Sequence, residues 1–79
     1  MAKIYSRDKA RVFELGRPIT PAMRDILNRL GQGESPQEIA YARGTSVRTI
    51  DMQLAAIRGR LGAKNTVHAM AIWVQRVSG

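Results

Sequence analysis

The groups in this chain best suited to chemistry are charged and apolar side chains at helical spacing. Arg48 is followed by Asp51 three residues later and by Met52 four residues later. A guanidinium can donate two parallel hydrogen bonds to a guanine edge, and a carboxylate can accept from a cytosine amine. A thioether can lie against a thymine methyl or a partner surface, which explains an outward methionine better than water does. The bland alternative is an ordinary surface helix on which Arg48 and Asp51 pair, worth about 0.2–0.5 kcal/mol. Covalent and acid–base chemistry lacks its parts. His68 is the sole histidine, there is no cysteine, and no two carboxylates stand at a convincing spacing. The Gly31-Gln32-Gly33 loop has neither the lysine nor the preceding strand of a phosphate-binding loop. No catalytic residue, metal ligand or cofactor is expected, and the chain does not read as an enzyme.

The elements that must position these groups are helices. Thr20 caps and Pro21 opens a first helix ended by Gly31, with Met23, Ile26, Leu27 and Leu30 on one face. The run Ser35-Pro36-Gln37-Glu38 is a capping box for a second helix. There Ile39 and Ala42 are expected inward, Ala40 leaves room for a crossing helix, and Gly44 ends the turn. Ser46 then caps a third helix over about 46–61, whose inward stripe is Ile50, Leu54, Ile57 and Leu61 and whose stop is Gly62. A fourth helix is expected over 66–77, with Val67, Met70, Ala71 and Val74 toward the core. Nothing alternates with period two, so the chain is all-α. The second and third helices together form a helix-turn-helix, a motif whose second helix lies in the DNA major groove.

Charge agrees with that partner. The formal net charge is +7. Five basic residues (Lys3, Arg7, Lys9, Arg11, Arg17) face two acidic ones (Asp8, Glu14) in residues 1–19. Residues 43–64 carry Arg43, Arg48, Arg58, Arg60 and Lys64 against Asp51 alone, and the remaining charges balance. Positive charge concentrated on an arm and around one helix is the footprint of a polyanion-binding protein. With Ile50 at the centre of the buried face, a rotation of about 100° per residue turns Arg48, Met52, Ala55 and Gly59 outward. Thr49, Asp51 and Ala56 lie beside them, and Arg58 and Arg60 fall on the flanks to reach phosphates. Gly59 inside a helix costs about 1 kcal/mol against alanine, which either a close phosphate backbone or a helix–helix contact would justify.

Seventy-nine residues form one small domain, divided here into residues 1–19 and 20–79. Such a chain hides only about 60–65% of its extended surface, so dimerisation would help it. Residues 1–19 are either a basic arm or a short helix over 7–15, capped by Ser6 and ended by Gly16, with Val12, Phe13 and Leu15 on the core. The absence of cysteine fits a reducing cytoplasm. The longest apolar run, residues 69–74, is too short to span a bilayer and no secretory signal opens the chain, so a cytoplasmic protein with no membrane partner is expected. Beyond its core stripe the fourth helix carries Ala69, Ile72 and Trp73, and an almost all-round apolar helix should be buried on two sides. The second side meets either another protomer or, through Trp73, the N-terminal segment near Phe13.

At these residues the chain resembles the LuxR/GerE family of DNA-binding domains. The resemblance rests on Ile19-Thr20-Pro21, Ile26-Leu27, Leu30-Gly31-Gln32-Gly33, Ser35-Pro36-Gln37-Glu38-Ile39-Ala40, Arg48-Thr49-Ile50, Leu54, Ile57, Arg60-Leu61-Gly62, Asn65 and Ala69-Met70-Ala71. It covers about 58 residues without a gap, nearly everything after the arm. It implies a four-helix helix-turn-helix domain, free-standing members of which exist, with the third helix in the major groove and the fourth forming a two-fold dimer. Ser46, Arg48 and Thr49 match positions that touch phosphate or bases, and Ile50 matches a valine near the bases, although the helical wheel buries it. The chain departs from the family at Met23 (usually glutamate), Asp51 (usually another charged residue), Gln53 (histidine), Arg58 (tyrosine or similar) and Val67 (threonine).

The expected DNA-binding set is therefore Ser46, Arg48, Thr49, Asp51, Met52, Ala55, Arg58, Arg60 and Lys64. The expected dimer set is Val67, Ala69, Met70, Ile72, Trp73 and Arg76. The leading expectation is a dimeric transcription regulator specific for a double-stranded DNA sequence. The alternative is a protein-interaction module on the same scaffold, binding another regulator or RNA polymerase through Trp73, Ile72 and Met52.

Overall fold

The computed structural model describes residues 15–78; of the arm or short helix expected over residues 1–19, residues 1–14 lie outside them, and Leu15, expected on the core, is 57% exposed. Among the described residues there are four helices and no strand: α1 (Pro21–Gly31), α2 (Pro36–Arg43), α3 (Val47–Leu61) and α4 (Thr66–Ser78). The all-α expectation holds, and α3 packs against each of the other three.

Each start follows from a side chain that satisfies an orphan backbone donor. Thr20 Oγ1 accepts from Met23 N at 3.2 Å, with Pro21 at the first helical position. Ser35 Oγ accepts from Glu38 N while Glu38 Oε1 accepts from Ser35 N at 2.7 Å, so the capping box is complete. Ser46 Oγ accepts from Thr49 N at 3.1 Å and opens α3. Asn65 does the same for α4, its Oδ1 accepting from His68 N at 2.8 Å. Two ends use the left-handed region that glycine enters without a Cβ clash: Gly44 (φ 66°) closes α2 and Gly62 (φ 67°) closes α3. The first helix ends differently from expectation. Gly31 remains in α1, and Gly33 (φ 93°) supplies the reversal. A Cβ at Gly31 would stand in ordinary van der Waals contact with Met70 Cε of α4, at 3.4 Å.

One core joins the helices. Met23, Ile26 and Leu27 of α1, Ile39 and Ala40 of α2, and Ile50, Leu54, Ile57 and Leu61 of α3 are all buried. The stripe read for α3 is the stripe observed. In α2 it is Ala40, not Ala42, that accompanies Ile39 inward, and Ala42 is exposed. Ala63, in the corner between α3 and α4, is completely buried and had no signal in a periodic pattern.

The fourth helix is rotated from the expected setting. Ala69 and Trp73 are buried, with Met70 and Ile72 partly buried against the same core. Val67 is 80% exposed, Val74 51% and Val77 62%. Ala69 and Trp73 therefore belong to the core of the protomer itself. Val67 and Val74 were expected inward and lie outward.

Charged contacts tie α1 to α2. Asp25 accepts from Arg29 Nε at 2.9 Å and from Arg43 Nη1 at 2.6 Å, and Arg29 Nη1 also reaches Glu34 at 3.3 Å. The hydrogen bond from Arg29, then that from Arg43, holds the Asp25 carboxyl below its ordinary value of 3.8. A depressed carboxyl stabilises the fold above its unfolded pKa, and that contribution is lost as pH falls through the lower folded value.

Two outcomes follow. Trp73→Ala is expected to lower the unfolding free energy by about 3–5 kcal/mol. Because the indole is inside the protomer, a comparable loss should appear in urea titrations at low and high protein concentration. Asp25→Asn is expected to melt below the parent near neutral pH, and the gap should narrow as both are acidified below about pH 4. Melting curves across that range check the sign.

Candidate nucleic-acid interface

A helix-turn-helix is useful only if its second helix is held on one side and bare on the other. Burial of Ile50, Leu54, Ile57 and Leu61 does the holding. On the opposite side Arg48, Thr49, Asp51, Met52 and Ala55 are all exposed. Met52 is 64% exposed, whereas Met23 is at 3% in the core. Fifteen residues make a rod of about 22 Å, longer than the roughly 12 Å width of a major groove.

The backbone at the entry of α3 is preorganised. Ser46 Oγ accepts from Thr49 N, and the two hydroxyls lie 3.0 Å apart. Both side chains stay exposed, so Ser46 and Thr49 fix the helix start and offer hydroxyls to an incoming phosphate. Among the described residues neither Arg48 nor Asp51 has an ion pair, so the alternative of a mutual Arg48–Asp51 bridge does not describe this helix.

The flanks differ from the sequence-based picture. Arg58 is half-buried and its Nη1 donates to Thr66 Oγ1 at 3.3 Å, bracing α3 to the start of α4. Arg60 Nη1 donates to the Pro18 carbonyl at 2.8 Å, and Gly16 N donates back to the Arg60 carbonyl at 3.2 Å. These two arginines brace α3 against neighbouring segments of the chain. They keep their positive charge beside α3 but do not extend from its flanks. Gly59 is buried by the protein and does not face solvent, which removes close phosphate approach as its reason. Ala56 is also partly buried against the core.

Lys64 is exposed just past the end of α3, where its backbone N donates to His68 Nδ1 at 3.0 Å. His68 thus serves the α4 corner through a ring-nitrogen lone pair. The acidic residues reinforce the asymmetry. Asp25 and Glu34 engage Arg29 and Arg43 on the α1–α2 side, leaving Asp51 as the lone carboxylate of α3. Arg43, counted by sequence with the basic cluster around α3, is neutralised there.

The face expected for a second copy is partly dismantled by the fold. Of the expected set, Val67 and Arg76 are exposed, Met70 and Ile72 are half-buried, and Ala69 and Trp73 are inaccessible. Val67, Ala71, Val74 and Val77 form the outward stripe of α4. Sequence reasoning missed Ala71 and Val77 as outward residues. A wheel centred on Ala69 and Trp73, the smallest and largest members of one row, would have placed them. Tyr41 was also missed and is 91% exposed on α2; the inward pair Ile39 and Ala40 already implied it.

A family model described as bacterial regulatory proteins, luxR family, matches residues 18–73. No curated protein and no solved structure matches the chain.

Proposed function

Since this chain belongs to the luxR family of bacterial regulatory proteins, whose domain is a DNA-binding helix-turn-helix, we propose that it reads a specific duplex sequence by seating α3 in the major groove. The observation that carries this reading is the bare face of α3, where Arg48 stands exposed with no carboxylate partner among the described residues. Arg48 donates to guanine O6 and N7, and Asp51 accepts from a cytosine amine. Ser46, Thr49 and Lys64 position the helix against phosphates, and Ala55 lets the backbone come close. The charges of Arg58 and Arg60 add to the field without being extended contacts.

The protein acts as a pair of copies joined through α4. An outward valine stripe at positions 67, 74 and 77, with Ala71 between, supports this. A pair related by two-fold symmetry reads a pseudo-palindromic site. The work is in the cytoplasm, where bacterial DNA is. Among the described residues no helix is long and apolar enough to cross a membrane. The same valine stripe favours a second reading, in which α4 docks another regulator or RNA polymerase and DNA binding is secondary.

Fluorescence anisotropy with duplex DNA tests the choice. Affinity should fall with a log–log salt slope of about −0.9 for each phosphate contact. Arg48→Ala should relax base preference at one position by about 1–3 kcal/mol, whereas Lys64→Ala should weaken all sequences alike. Affinity that stays flat between low and moderate salt would leave the protein-docking reading standing.

A further inference from the structure

Met52 is an anomaly on the exposed face of α3. It is 64% exposed on the row of Arg48 and Ala55, although the folded core takes Met23 almost completely. No core demand places it there, and no other part of the described chain covers it. Its position four residues after Arg48 puts both side chains on one row, about 5–6 Å apart at their Cβ atoms. Ala55, three residues further on, is exposed and too small to screen it. An unbranched thioether adapts its shape to a small apolar group.

The apolar group that the major groove offers is the C5 methyl of a pyrimidine. We propose that Met52 is a specificity-determining residue that reads this methyl group next to the guanine bound by Arg48. The inference rests on the reading that α3 enters the major groove. Two bases carry the methyl: thymine by nature and cytosine after enzymatic methylation. Cytosine methylated at C5 also keeps its amine, a donor of the kind that the exposed Asp51 carboxylate accepts. Thymine presents O4 there, an acceptor that a carboxylate repels. A methylated cytosine therefore suits Asp51 and Met52 together, whereas a thymine suits Met52 alone.

The test begins with duplexes selected from a random pool by the full chain. Each selected site is resynthesised with deoxyuridine replacing thymidine, one position at a time, and separately with 5-methylcytosine replacing cytosine. These swaps remove or add the methyl group and nothing else. A position beside the Arg48 guanine is expected to change affinity about fourfold, the effect of burying one methyl group. Loss on the uridine swap identifies thymine as the source, and gain on the 5-methylcytosine swap identifies methylated cytosine. Met52→Ala should abolish the sensitivity and Met52→Leu should keep it. An unchanged melting temperature for Met52→Ala shows that the fold is intact. Insensitivity to every swap, or sensitivity that survives Met52→Ala, overturns the proposal while leaving DNA binding in place. Failure of any duplex to bind overturns the groove reading itself.

Discussion

The fold depends on giving one helix two incompatible surroundings. Ile50, Leu54, Ile57 and Leu61 must be dry, and the residues half a turn away must be wet. Ile50 and Ile57 are almost fully enclosed, and they meet Ile26 and Leu27 of α1 and Ile39 of α2 in the same cluster. Among the described residues no further helix covers the remaining side. Stability and access are thus met together: the other three described helices pack against α3, and its first turns stay open on the far side.

Electrostatics is arranged by position more than by total. The carboxylates of Asp25 and Glu34 hold Arg29 and Arg43 on the α1–α2 side, where they lock two helices together. Beside α3, Arg58 donates to the Thr66 hydroxyl and Arg60 to the Pro18 carbonyl. A hydroxyl or carbonyl orients a guanidinium without cancelling its charge.

Much of this was legible in the sequence, and the failures have physical causes. Helices α1 to α3 announced themselves because Thr20, Ser35 and Ser46 are caps, and the longer stripes of α1 and α3 fix their faces, whereas the short α2 left Ala42 misplaced. In α4 residues 67 and 69–74 are all apolar, so two stripes fit the helical period equally well and periodicity cannot choose. The choice was made by size, since Ala69 permits close approach and Trp73 fills the space one turn on. Arg58 and Arg60 were read as solvent-reaching because a wheel records direction alone. Their acceptors lie on Thr66 and Pro18, and the second is 42 positions away in sequence. A buried Gly59 is the same lesson, since tertiary cover leaves no mark on a helical wheel.

The corner between α3 and α4 has a further meaning. Gly62 turns there in the left-handed region with Leu15 Cδ1 only 3.0 Å from where a Cβ would stand, and Ala63 behind it has no exposed surface. A side chain at Gly62 would be strained by the positive φ and would press on Leu15, and a larger residue at Ala63 would find no free space. If two copies meet through α4, this elbow fixes the separation of their two reading rods. The distance between the halves of the cognate operator would then be encoded by a pair of small residues that never touch the operator.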